Sequence, residues 1–126
     1  ISSKLREYGC DLYLVDCDGY IDDLVPGWME GGVNVMFPIE IGVWGADPMA
    51  FRRQYGKELR VIGGVDKLAI PKGPAAIDAE LERRLPLMRD GGFIPLPDHL
   101  IVPGTSVENY RYYFQALKAM QPRVVG

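Results

Sequence analysis

No apolar run in this 126-residue chain approaches the roughly 20 residues that a membrane-spanning helix needs. No basic, apolar and small-residue succession at its start reads as a signal peptide, so the expected compartment is the cytoplasm. Basic residues are not in excess: 14 Lys and Arg stand against 17 Asp and Glu, a net charge of -3. Nothing resembles the positive stripe with which nucleic-acid binders neutralise phosphates. Two cysteines are too few for a disulfide scaffold, and Cys10 and Cys17 are too far apart for a CxxC knuckle. Reduced thiols are expected, with Cys10 facing the core and Cys17 in a polar loop, packed or available to a soft metal. Histidine occurs once, as His99.

What is present is a repeat. Short β-rich apolar runs at residues 12–15, 33–37, 59–62 and 93–96 each end in a polar cluster: Asp16-Cys17-Asp18-Gly19, Pro38-Ile39-Glu40, Gly63-Gly64-Val65-Asp66-Lys67 and Pro97-Asp98-His99. Helical segments are expected between them at residues 22–30, then from the Asp47 cap and Pro48 to Tyr55 with Gly56 as C-cap. The longest helix follows Gly73-Pro74, with Ile77, Leu81, Leu85 and Met88 on one stripe and Pro86 loosening its last turn. A capping box, Thr105 to Glu108, opens the last helix, in which Tyr110, Tyr113, Phe114 and Leu117 share a side. The pattern βαβαβαβα at about 30 residues per unit argues for one α/β domain of four parallel strands with right-handed crossovers. It is either a small open sheet or about half of a TIM (β/α)8 barrel, since a whole barrel takes about 250 residues. The chain starts at Ile1 and is helix-like from Ser2, which suggests a piece of something longer. Half a barrel leaves two strand edges and one core face open, so self-association as a homo-oligomer, or pairing with a missing N-terminal half, is expected.

In a parallel barrel the loops after the strands converge on one mouth, where the chemistry is done. Asp16 and Asp18 flank Cys17 and point the same way along an extended segment, so they can share a divalent cation or a proton. The plainer alternative is an Asp-Gly turn with Asp16 as a cap. Glu40, set among apolar neighbours, needs a metal, arginine or imidazole partner, unless it is simply an exposed loop residue. His99, in a loop stiffened by prolines 95, 97 and 103, suits a metal ligand, a general acid or a donor to a substrate carboxylate. Asp66 and Lys67 follow a glycine pair whose N–H groups can approach an anionic substrate, although a tight turn with a surface ion pair explains them as well. Trp44, in a Gly-flanked loop, is a candidate lid or pocket wall. Arg52, Arg53, Arg83, Arg84 and Arg111 are expected on solvated helix faces.

The series Asp-Cys-Asp-Gly, Pro-Ile-Glu, Gly-Gly-Val-Asp-Lys and Gly-Gly-Phe-Ile-Pro-Leu-Pro-Asp-His, followed by Val-Glu-Asn-Tyr, resembles the C-terminal half of the uroporphyrinogen decarboxylase superfamily. The resemblance runs in order over essentially the whole chain and is most specific from Gly91 to Tyr110. It implies a (β/α)8 barrel and either of two activities. One is methyl transfer between corrinoid proteins and small acceptors, assisted by zinc held by a His-x-Cys pair and a later cysteine. The other is metal-free decarboxylation of tetrapyrrole acetate groups, in which a late histidine positions substrate carboxylates. The zinc positions fall on Asp16, Asp18 and His99, none of which keeps the family's residue, and Glu40 would complete a harder ligand set suited to zinc, manganese or iron. The late histidine falls on His99. The resemblance thus implies a C-terminal fragment of the methyltransferase branch. Asp16 and His99 would be catalytic, Asp66, Lys67 and Trp44 would contact substrate, a divalent metal (zinc foremost) would sit on Asp16, Asp18, Glu40 and His99, and a corrinoid would arrive on a partner protein. Tetrapyrrole decarboxylation and a non-catalytic oligomerising half-barrel are the alternatives.

Overall fold

A computed structural model describes residues 2–120. Four strands, β1 (Leu14–Asp16), β2 (Val35–Phe37), β3 (Arg60–Val65) and β4 (Phe93–Pro97), lie in sequential order and pair in parallel. Five α-helices, α1 (Ser2–Arg6), α2 (Val25–Glu30), α3 (Pro48–Tyr55), α4 (Pro74–Asp90) and α5 (Val107–Met120), and a 3-10 helix at Lys67–Lys72 accompany the sheet. Among the described residues no helix is long and apolar enough to cross a membrane.

One row of side chains explains how the layers adhere. Val15, Met36, Val61 and Phe93 are in register across all four strands and belong to one core. That core takes Phe51 from α3, Ile77, Leu81, Leu87 and Met88 from α4, and Tyr113 and Leu117 from α5. The opposite face is only partly covered: Leu14, Ile94 and Leu96 are 50%, 55% and 41% exposed, while Val35, in register with Leu14, is 4% exposed. Alternation along a strand puts these on the second face of the sheet, which no helix covers among the described residues.

The two outer edges differ chemically. Val61 N–H donates to Gly92 O and Asp98 N–H donates to Val65 O, so the even-numbered residues of β4 face β3 and the odd ones face outward. Two of those outward positions are Pro95 and Pro97, which have no N–H to give. The outer edge of β1 keeps its donors at Leu14 and Asp16, because Cys17 N–H turns inward to Phe37 O. Strand addition therefore has a full partner at β1 and a donor-poor one at β4.

Several expectations are corrected. The run at residues 12–15 gives a strand shifted to Leu14–Asp16, with Leu12 60% exposed on the bare side. Asp16 does not end a buried strand; β1 is an edge strand and Asp16 is exposed. β3 runs through Gly63 and Gly64, so the glycine pair is strand, not turn or anion cradle. A Cβ on Gly63 would stand 3.2 Å from Ile39 N, and one on Gly64 3.1 Å from Pro48 Cγ, so close packing explains both. The last helix is capped by Ser106, whose Oγ accepts Asn109 N–H at 3.1 Å, while Thr105 donates to Val102 O. Of the expected stripe on α5, Tyr113 and Leu117 are buried, while Tyr110 and Phe114 are 42% and 58% exposed. Burial pushes the Tyr113 phenol well above its ordinary pKa. Cys10 is exposed, not in the core; Cys17 is half-buried against it.

Two of the arginines expected in solvent are structural. Arg52 of α3 donates to the carbonyls of Gly91 and Gly92 and pairs with Asp90, capping the C-terminus of α4. Arg84, 3% exposed, donates its Nε–H to Glu80 Oε1 at 2.8 Å within α4 and stands 3.6 Å from Asp47.

Candidate active site

All four strand-end clusters lie at one end of the sheet, as parallel order requires, but they divide into two sets. The first set is buried. Glu40, Lys67 and Asp98 are 7%, 6% and 0% exposed. The Lys67 ammonium sits 3.2 Å from Glu40 Oε1 and 3.7 Å from Asp98 Oδ1. Glu40 Oε2 accepts Gly19 N–H at 2.7 Å. Asp98 Oδ1 accepts Lys67 N–H at 2.9 Å, and Oδ2 accepts Ile41 N–H at 2.7 Å and Gly42 N–H at 3.2 Å. Carboxylates out of water persist only when hydrogen-bonded or paired, and here every oxygen has a partner.

The second set is open. A cavity of about 370 Å³ is lined by Asp16, Asp18 and His99 and walled by Phe37, Pro38, Leu96, Pro97 and Leu100. It opens at the C-terminal ends of β1, β2 and β4, on the side of the sheet that no helix covers. His99 Nε2 stands 3.7 Å from Asp18 Oδ1, with the two side chains 36% and 63% exposed. That gap exceeds a hydrogen bond. A single base with an acceptor carboxylate beside it and apolar walls around it can take a proton from a small bound molecule, while the carboxylate favours the imidazolium that forms.

The residues singled out in the sequence distribute unevenly over these two sets. Asp16, Asp18 and His99 share the cavity. Glu40 does not join them, because its two oxygens are engaged by Lys67 and Gly19. Among the described residues no three His, Cys, Asp or Glu side chains are grouped to hold a metal ion, so the four-residue ligand set is not assembled. Lys67 is buried in the ion triad and lines none of the cavity. Asp66 caps the 3-10 helix, accepting Leu68 N–H at 2.8 Å, and gives its own N–H to Glu80 at 3.1 Å. Trp44, 53% exposed, lies over the backbone at Gly19, where a Cβ would be 3.8 Å from Trp44 Cε2. It borders the Asp18 loop from outside the cavity.

Sequence reasoning missed Asp98 as a structural carboxylate and the buried Glu80–Arg84 pair. Asp98 had a legible signal: it directly follows a strand whose residues alternate buried and exposed from Phe93, which carries the inward side to the strand's end. Glu80 had one too, lying one position before Leu81 and three after Ile77 on the buried stripe. Comparison with protein families, curated proteins and solved structures finds no match.

Proposed function

We propose that this chain is the C-terminal half of a barrel enzyme similar to the methyltransferase branch of the uroporphyrinogen decarboxylase superfamily, and that its cavity holds the methyl acceptor. The observation that carries the reading is the composition of that cavity: one imidazole facing one carboxylate, a second carboxylate beside them, and apolar walls. His99 takes the proton from an acceptor N–H, S–H or O–H as the heteroatom gains the methyl group, and Asp18 favours the resulting imidazolium. The methyl donor is a corrinoid carried by a partner protein. Asp16 and Asp18 attract a cationic acceptor, admit a neutral one and repel a polycarboxylate, which favours methyl transfer over tetrapyrrole decarboxylation. No step is assigned to a metal, since Glu40 is committed elsewhere. The bare face of the sheet, with Leu14, Ile94 and Leu96, is where the other half of the barrel or a second copy would pack.

The test is methyl transfer from methylcobalamin to a panel of small thiols and amines, followed by mass spectrometry. Transfer that falls about 100-fold or more in His99→Ala is expected. If uroporphyrin binds the cavity in a His99-dependent way and no acceptor is methylated, the decarboxylase reading replaces it. A stoichiometric metal ion in the purified chain, lost in Asp16→Ala, would instead restore a metal at the rim.

A further inference from the structure

Lys67 is the one cation in the buried triad, and the two carboxylates it faces each control one member of the cavity pair. Glu40 holds the N–H of Gly19, the peptide that immediately follows Asp18. Asp98 immediately precedes His99 and is fixed by three backbone N–H groups, from Lys67, Ile41 and Gly42. The ammonium, 3.2 Å from one carboxylate and 3.7 Å from the other, therefore stands between the anchors of Asp18 and of His99. It lines none of the cavity itself.

We propose that Lys67 is a positioning residue that sets the Asp18–His99 separation by holding Glu40 and Asp98 together. The proposal rests on reading Asp18 and His99 as the acid–base pair. With the Lys67 ammonium removed, two carboxylates are left close together in a buried place with nothing between them, and like charges so placed move apart. A displaced Glu40 loosens Gly19; a displaced Asp98 carries His99 with it. At 3.7 Å the pair is just beyond hydrogen-bond length, so a movement of about 1 Å that carries either anchor outward parts it. Nothing in this chain of contacts involves a ligand.

The chain's single histidine gives one imidazole signal, so its nuclear resonance reports this pair without interference. Asp18→Asn should shift the His99 ring resonances in the otherwise unchanged chain. In a Lys67→Met background the same substitution should shift them at least roughly twofold less, as a double-mutant cycle detects. Glu40→Gln, which keeps both Lys67 and the side-chain shape, should weaken the coupling in the same direction and carries the test if Lys67→Met does not fold. If Lys67 only stabilised the fold, Lys67→Met would lower the unfolding midpoint and leave the coupling intact. Undiminished coupling in either folded variant, or no response of His99 to Asp18→Asn at all, overturns the proposal. Because no substrate is present, failure of methyl transfer with coupling intact would refute the proposed function alone.

Discussion

Two groups of charged residues share the C-terminal end of this sheet, and they behave as opposites. Asp98 is fully buried and takes three backbone N–H groups; Asp18, on the neighbouring rim, leaves 63% of its side chain in solvent, with the His99 imidazole 3.7 Å away. The buried triad ties the segments after β1, β2, β3 and β4 to one another through Gly19, Glu40, Lys67 and Asp98. The open set is attached to those same segments but has unspent hydrogen-bonding capacity. Position at a strand end is thus shared by staples and by candidate chemistry, and hydrogen-bond satisfaction separates them.

The sharpest break in this comparison is Asp98→Ala against Asp16→Ala. Removing Asp98 leaves the backbone N–H groups of Lys67, Ile41 and Gly42 without their acceptor, that of Lys67 in a buried place, and takes one counter-charge from Lys67, which should cost about 3–5 kcal/mol in urea unfolding. Asp16→Ala, on an exposed edge strand, should stay within about 0.5 kcal/mol. Equal effects would show that the two sets are not distinct. Next in size is Arg84→Met, which asks whether burial rather than location makes a charge costly. Arg84 and Glu80 are as buried as the triad but sit on α4. Glu80 keeps Asp66 N–H and the exposed Arg83 at 3.1 Å when Arg84 is lost, so a smaller loss of about 2–3 kcal/mol is expected by the same measurement.

The division of the fold into strands and helices was legible because each strand carries a short β-rich apolar run and each helix a stripe or a cap. Asp47, Pro48 and Gly56 bound α3 where the sequence places them. Strand limits were less legible. β1 slid to Leu14–Asp16 because pairing with Val35–Phe37, not apolarity, sets its register, and Leu12 lies outside that pairing. β3 ran on through two glycines, both at positive φ and both where an added Cβ would crowd its neighbours at 3.1–3.3 Å, a tertiary closeness that the local sequence does not display. At the site, Asp16, Asp18 and His99 were legible as rim residues from their place after strands. The fate of Glu40 and Lys67 was not, since whether a carboxylate meets water or an ammonium depends on contacts 27 residues apart in sequence. The bare sheet face, expected of a half-barrel, is present; what covers it is not written in these strands.

Gly64→Ala probes the strand that carries Lys67 into place. Gly64 has φ of +69° inside β3, and an added Cβ meets Pro48 Cγ at 3.1 Å and Phe93 Cε2 at 3.2 Å. Backbone strain and overpacking together should cost about 1–3 kcal/mol. If the buried triad positions His99, this variant also disturbs the His99 resonance, through Lys67, whereas Gly9→Ala, likewise at positive φ but with open space around its Cβ, does not.

The smallest effect belongs to an ion pair outside both groups, and it sharpens the contrast through salt and pH. The Lys57 ammonium, 3.1 Å from Asp90, is the main group holding that carboxyl below its ordinary value, with Arg52 adding to it and partial desolvation opposing. A carboxylate whose folded pKa lies below its unfolded one stabilises the fold fully above the unfolded value. That contribution fades as pH falls through 3.8 toward the folded value. The stability difference between wild type and Asp90→Asn should therefore be constant near neutrality and shrink in acid below the ordinary carboxylate range, read by unfolding at stepped pH. Because Asp90 is in contact with solvent, added salt should shrink that difference as well. The Asp98→Ala penalty should hardly respond to salt, since its partners are backbone N–H groups and a buried ammonium. Salt-sensitive loss at Asp98 would mean that water reaches the triad, and the distinction between staple and open rim would then fail at its strongest point.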